Sequence, residues 1–209
     1  MTKLLKGLFY LLVVLLVLAV VGRILFFQLG RTQSYSMIPN LVSGDLFAVR
    51  TVGKLGLGDV AVCENPEEPT SMVVLRIIGV PGERVAFRHN HLVLNGKMIQ
   101  RSMVEPITYV DDSAGEELTY AVRIGQEYIG GQMFEVALMD RAGGKKHREL
   151  TVPEEHFFLA ADNRNLGRDS RHFGPVPIES CVGEAVFVLW PGDDSGDLLF
   201  KDRLFSWIR

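Results

Sequence analysis

The sequence predicts a mostly antiparallel β protein behind a single N-terminal transmembrane helix, with a second β lobe inserted into the main one. Three observations carry this. Residues 8–21 are wholly apolar, and after Gly22 and Arg23 the apolar character resumes through Ile24, Leu25, Phe26 and Phe27. Beyond Gly30, short runs rich in β-branched and aromatic residues alternate with turn residues, and most of the 21 glycines and nine prolines fall there. That region holds no sustained 3.6-residue apolar period, so it offers strands a face to bury and helices none.

Taken in order, the first element is the membrane helix. A helix crosses a bilayer with about 20 apolar residues, and residues 7–29 are long enough. Arg23 lies near the C-terminal end, where its head can snorkel toward the lipid headgroups. Lys3 and Lys6 precede the run with no acidic residue before them, which places the N-terminus in the cytoplasm and the rest of the chain on the outer face. A cleaved signal peptide would carry a shorter apolar stretch ending at a small-x-small site. Ala19-Val20-Val21 is a poor site of that kind, so residues 1–29 read as a cytoplasmic tip and a retained anchor.

Strands are expected at 46–50, 59–63, 72–78, 84–88, 91–94, 118–124, 132–139, 156–160 and 183–190. Asn95-Gly96 after the run at 91–94 signals a tight hairpin. Gly44-Asp45 and Gly58-Asp59 each open an apolar run, the glycine for a tight turn and the aspartate to accept nearby backbone N–H groups. Residues 99–152 differ in texture: they are more polar and carry Asp111-Asp112 and Gly143-Gly144-Lys145-Lys146. They read as an inserted, partly mobile β lobe between 30–98 and 153–209, which together form the core.

At 209 residues the chain suffices for one sizeable core with a smaller lobe. A net charge of -3 with signs mixed along the chain gives no basic patch, and no nucleic-acid partner is expected. Cys63 and Cys181 both fall in expected strands. An outer-face location permits a disulfide between them, and two buried free thiols fit the sequence equally well. There is no Cys-x-x-Cys or His-Glu-x-x-His, and His89-Asn90-His91 reads as a solvated turn, so neither a metal nor another cofactor is expected.

Three segments carry chemistry: Ser34-Tyr35-Ser36-Met37-Ile38-Pro39, then Leu75-Arg76-Ile77-Ile78-Gly79-Val80-Pro81-Gly82, then Ala161-Asp162-Asn163-Arg164 followed by Gly167-Arg168-Asp169-Ser170-Arg171. In that order, behind one anchor, they resemble the type I signal peptidases, membrane-anchored serine proteases that remove signal peptides with a Ser/Lys dyad. The resemblance covers most of the chain. It implies an antiparallel β catalytic core at residues 30–98 and 153–209, an inserted β-ribbon cap at 99–152, and a place in a bacterial cytoplasmic membrane with the β domain outside. It implies Ser36 as the nucleophile, with the Ser36 N–H and the Ser34 hydroxyl forming the oxyanion hole. It also implies signal peptides of exported preproteins as partners, bound extended beside Val73, Val74 and Leu75 with small residues entering shallow pockets near Met37 and Ile38.

The departures matter as much. A serine hydroxyl needs a neighbouring base, and the dyad lysine serves when an apolar setting lowers its pKa. The family's lysine position is Leu75, and the motif leaves no register that would bring a lysine in. Arg76 cannot replace it, because a guanidinium does not deprotonate in proteins. The family serine that hydrogen-bonds the lysine aligns with Gly167, and Ala161 stands at a family glycine. Asp162, Arg164, Asp169 and Arg171 are retained and are expected to brace the site through charge-assisted hydrogen bonds. Lys54, Lys97, Lys145 and Lys146 read as solvated, and His89, His91, His147, His156 and His172 have no motif relation to Ser36. The expectation is a signal peptidase frame in which Ser/Lys catalysis is absent or very weak. The alternative is a non-catalytic relative that binds exported chains or membrane partners in the same groove.

Overall fold

The computed structural model describes residues 3–111, 118–139, 147–192 and 203–208. The chain opens with helix α1 (Lys3–Phe26), followed by strands β1 (Phe27–Arg31), β2 (Leu46–Arg50), β3 (Val60–Asn65), β4 (Glu68–Gly79), β5 (Arg84–Arg88), β6 (His91–Leu94), β7 (Lys97–Met98), β8 (Arg101–Asp111), β9 (Leu118–Ile129), β10 (Gln132–Leu138), β11 (His147–Thr151) and β12 (His156–Ala160). A one-turn helix α2 (Ser170–Phe173), β13 (Val176–Pro177), a short 3-10 turn, β14 (Cys181–Trp190) and β15 (Ser206–Trp207) complete it. The mostly antiparallel β class holds. Asp112, Gly143, Gly144, Lys145 and Lys146 of the polar insert, and the Arg23 side chain, lie outside the described residues.

Helix α1 is 24 residues long, about 36 Å at 1.5 Å per residue. Its stretch Leu5–Gly22 has a mean hydropathy of 2.6 and nothing packed against it, so it is long and apolar enough to cross a membrane. The helix stops at Phe26, whereas the apolar run was expected to serve as anchor to residue 29. Phe27–Arg31 instead pairs antiparallel with β2, Phe27 facing Arg50 and Arg31 facing Leu46.

The main sheet runs β1-β2-β14-β3-β4-β12-β13, with β15 added on β14. A three-stranded sheet β10-β9-β8 and a four-stranded sheet β11-β5-β6-β7 complete the architecture. Turn chemistry sets the hairpins. Asn95 and Gly96 both have positive φ, 52° and 80°, between β6 and β7, the pairing that a two-residue hairpin turn requires. Gly44 and Gly58 likewise have positive φ. Asp45 accepts the Val42 N–H at 2.8 Å and Asp59 accepts the Gly56 N–H at 2.8 Å.

The principal apolar cluster lies between the main sheet and the site segments, with Phe47, Val49, Val60, Val62, Leu75, Ile77 and Leu159 buried in it. A third cluster joins Tyr35, Ile38 and Val42 to Val122, Ile124 and Ala137. β9 and β10 therefore share a core with the turn that carries Ser36. Three buried ion pairs lock the segment after β12 in place. Asp162 takes a two-point contact from Arg76, Nε at 2.8 Å and Nη2 at 2.7 Å. Arg164 donates to Glu127 at 2.6 Å, and Glu127 also accepts from Arg101 Nε at 2.9 Å. Arg171 forks onto Asp169, which caps α2.

Burial pushes the Asp169 carboxyl up, but the Arg171 guanidinium and the N–H groups of Ala161 and Arg171 outweigh it, and the net shift is downward. A carboxyl lowered by folding contributes stability that is complete above its unfolded pKa of about 3.9 and lost as pH falls through the lower folded value. Stability to urea should therefore hold from neutrality down to about pH 4 and fall below it. Asp169→Asn should flatten that acid limb while costing about 3–5 kcal/mol at neutral pH, because it strands a buried guanidinium.

Cys63 and Cys181 face each other across β3 and β14 and are joined in a disulfide spanning 118 residues of chain. The structure thus selects the bonded state from the two that the sequence left open. Reduction, or the double substitution Cys63→Ala with Cys181→Ala, should lower the unfolding free energy by about 2–4 kcal/mol in denaturant titrations of the full chain in neutral detergent.

Candidate active site

Three backbone segments converge on one groove of about 840 Å³. The turn after β1 supplies Ser34, Ser36 and Met37. β4 supplies Met72, Val73, Val74 and Leu75, while Phe47, Val49 and Val62 of neighbouring strands also line the groove. β3 occupies one edge of β4 along this stretch, and β12 pairs with the other edge only at Arg76, Ile77 and Gly79. The edge of β4 from Met72 to Leu75 is thus left for an added strand.

The serine turn is held from several sides. The Ser34 N–H donates to Thr32 Oγ1 at 3.2 Å, and the Asn163 N–H donates to the Ser36 carbonyl at 2.9 Å. The Asn163 side-chain amide donates to the Tyr35 carbonyl at 3.2 Å. The Ser36 N–H donates to Ser34 Oγ at 3.1 Å, and the two hydroxyl oxygens are 2.8 Å apart. In this arrangement the two groups expected to face an oxyanion are bonded to each other.

Leu75 is 1% exposed, belongs to the principal core cluster, and lines the groove with Ser36. It sits opposite Ala61 of β3. Among the described residues lining the groove there is no lysine and no histidine. Its two arginines, Arg31 and Arg168, do not deprotonate at accessible pH. The hydrogen bond of the Ser36 hydroxyl is to Ser34 Oγ. His172, close to the third segment, has Nδ1 3.2 Å from the Asp169 N–H, which donates to it. Lys54 and Lys97 are exposed and off the groove, while Lys145 and Lys146 lie outside the described residues.

Gly167 and Ala161 prove to be a matched pair. A Cβ on Gly167 would lie 2.1 Å from the Ala161 Cβ, 3.0 Å from the Asn163 carbonyl oxygen and 3.5 Å from the Ser36 Cβ. Residue 167 is therefore next to Ser36, and a side chain there is excluded by the methyl group at 161. Ala161 and Gly167 are thus coupled through one volume.

Asp162, Arg164 and Asp169 are buried, the Arg171 side chain is 2% exposed, and none of the four lines the groove. Met37, Val73 and Val74 line it. Ile38 does not: it is fully buried in a cluster with Val122, Ile124 and Ala137. Sequence reasoning missed the groove rim, made by Asn65, Glu67, Glu68, Ser71 and Arg168. No spacing rule links Glu67 to a residue 101 positions away. It also missed Asn40, whose amide donates to Asp162 Oδ2 at 2.8 Å, and Glu127, buried between two arginines.

Known proteins similar to this chain include signal peptidases. Signal peptidase I of Streptococcus pneumoniae serotype 4 is 29% identical over 194 residues, 88% of this chain and 91% of that one. Signal peptidase I of Bacillus caldolyticus is 30% identical over 164 residues, 76% of this chain and 77% of that one. A crystal structure of a signal peptidase I from Enterococcus faecalis is 27% identical, with a TM-score of 0.38, and the match covers 64% of this chain and 97% of that one. The family described as signal peptidase, peptidase S26, matches residues 5–190, a span that takes in the serine turn, β4 and the segment after β12, and this chain belongs to it.

Proposed function

We propose that this protein is a membrane-anchored signal peptidase family member that binds signal peptides of exported preproteins in its groove, with Ser/Lys catalysis absent or very weak. The observation that carries the reading is Leu75: a buried hydrocarbon side chain lines the same groove as Ser36, at the position where the family motif has its base. An extended peptide would add to the open edge of β4 beside Val73 and Val74, its small residues resting near Met37. Ser34 and Ser36 would still offer oxyanion contacts, once their mutual bond is broken. Asp162, Arg164, Asp169 and Arg171 act as braces for the site. Residues 30–98 and 153–209 would form the core and 99–152 the cap.

The setting is a bacterial cytoplasmic membrane, crossed once by α1 with the N-terminus inside and the β domain on the outer face. Exposed Phe27 and Leu29 continue from the helix, and Phe187 links Trp207 to the row of Ala48 and Leu29 across the sheet. Phe205, Trp207 and Trp190 are the large exposed aromatics of this region, a composition suited to the headgroup layer.

Loss of a dyad member costs about four to six orders of magnitude in turnover. Preprotein cleavage in neutral detergent should therefore stay near background for the wild type and be unchanged by Ser36→Ala. Leu75→Lys should introduce Ser36-dependent cleavage. Gly167→Ser should lower the melting temperature, since its Cβ would meet Ala161 at 2.1 Å, and Ala161→Gly should recover most of that loss. The triple variant with lysine, serine and the smaller residue at 161 should be the most active of the set. Robust wild-type cleavage abolished by Ser36→Ala would overturn the proposal and reveal a base of another kind.

A further inference from the structure

The rim of the groove carries an ion pair that neither the motifs nor the braces explain. Arg168 Nε donates to Glu67 Oε2 at 2.8 Å, and Arg168 Nη2 pairs with the other carboxylate oxygen. Arg168 follows Gly167, whose Cβ position is 3.5 Å from the Ser36 Cβ. Glu67 stands on the turn joining β3 to β4, and that turn is internally braced. Asn65 Oδ1 accepts the Glu67 N–H at 3.0 Å, and the Asn65 amide donates to Ser71 Oγ at 3.1 Å. Both partners line the groove, so the pair spans from the segment beside Ser36 to the start of the open β4 edge. Its side chains are 64% and 41% exposed, which makes it cheap to open.

We infer that Glu67 is an internal stand-in for a carboxylate of the bound peptide, and that Arg168 is the residue that reads that carboxylate. This rests on the groove being a peptide site. The two-point contact shows that the Arg168 fork can take a carboxylate from inside the groove, with the planar geometry that guanidinium favours. Exchange of Glu67 for a ligand carboxylate conserves that contact, and the released Glu67 is already exposed enough to hydrate. The Glu67 backbone is held by Asn65, whereas Arg168 carries the longer and more exposed side chain, so Arg168 is the side chain that can follow a ligand. The carboxylate has two sources: the free C-terminus of a peptide ending in small residues, or an acidic side chain just after them.

The test uses the full chain in neutral detergent and peptides carrying a neutral fluorophore on an apolar run that ends Ala-x-Ala. One peptide ends in an amide, one in a free carboxylate, and one is amidated with an aspartate after the last alanine. At low salt, at least one carboxylate form should bind about fivefold more tightly than the plain amide. The gain should disappear in Arg168→Gln and in high salt, and should grow in Glu67→Gln, which removes the internal competitor. Whichever form shows the gain identifies the source. A gain that survives Arg168→Gln, or fails to grow in Glu67→Gln, overturns the inference. Binding of the amide with no carboxylate gain overturns it while leaving the groove reading intact. No binding of any peptide overturns both.

Discussion

The Arg76–Asp162 pair is the point at which the whole site is joined. Arg76 follows Leu75 on β4, and Asp162 opens the segment that leads to Gly167. The same carboxylate accepts from the side-chain amide of Asn40, four positions after Ser36 in the serine turn. All three site segments are thus tied to one buried group, with the Arg76 guanidinium also donating to the Gly58 carbonyl at 2.8 Å and stacked 3.9 Å from the Phe134 ring. Removing one member of such a pair leaves an uncompensated charge in the interior, at a cost of about 3–5 kcal/mol.

That dependence explains why the shape of the site does not require a lysine at residue 75. The braces belong to the fold: Asp169 caps α2 and accepts the Ala161 N–H at 2.9 Å, and Arg171 donates to the Arg164 carbonyl at 2.8 Å. None of these contacts needs a lysine at residue 75. Leucine there is satisfied by the core, and glycine at 167 is required by the alanine methyl at 161. The buried ion pairs consequently testify to architecture, and on the proposed reading activity would depend on a different set of atoms.

Much of this was legible in the sequence where local chemistry decides. The runs at 84–88 and 91–94 became β5 and β6 with the expected bounds, because turn residues punctuate both. β1 was hidden because Phe27 and Leu29 continue the apolar run of the helix, and only pairing with β2 makes them a strand. β9 was expected to end at 124 and extends to Ile129. Gly125, Gln126 and Glu127 interrupt its apolar pattern, and Glu127 is buried only because Arg101 and Arg164 meet it there. β8 and β11 were missed for similar reasons, being polar or carrying Pro106. That residue 75 is a leucine suited to the core was readable from one position. The coupling of Ala161 to Gly167, and the reach of Arg168 to Glu67, exist only in three dimensions.

The central claim is that the groove holds a signal peptide without cutting it. Its most direct test is capture: a photo-crosslinking group at Val73, incubation with a preprotein in detergent, and mass analysis of the adduct. The account predicts intact preprotein crosslinked to the same extent with serine or alanine at residue 36. A crosslinked peptide truncated at its small-residue site with Ser36 present, and intact with alanine in its place, would contradict it.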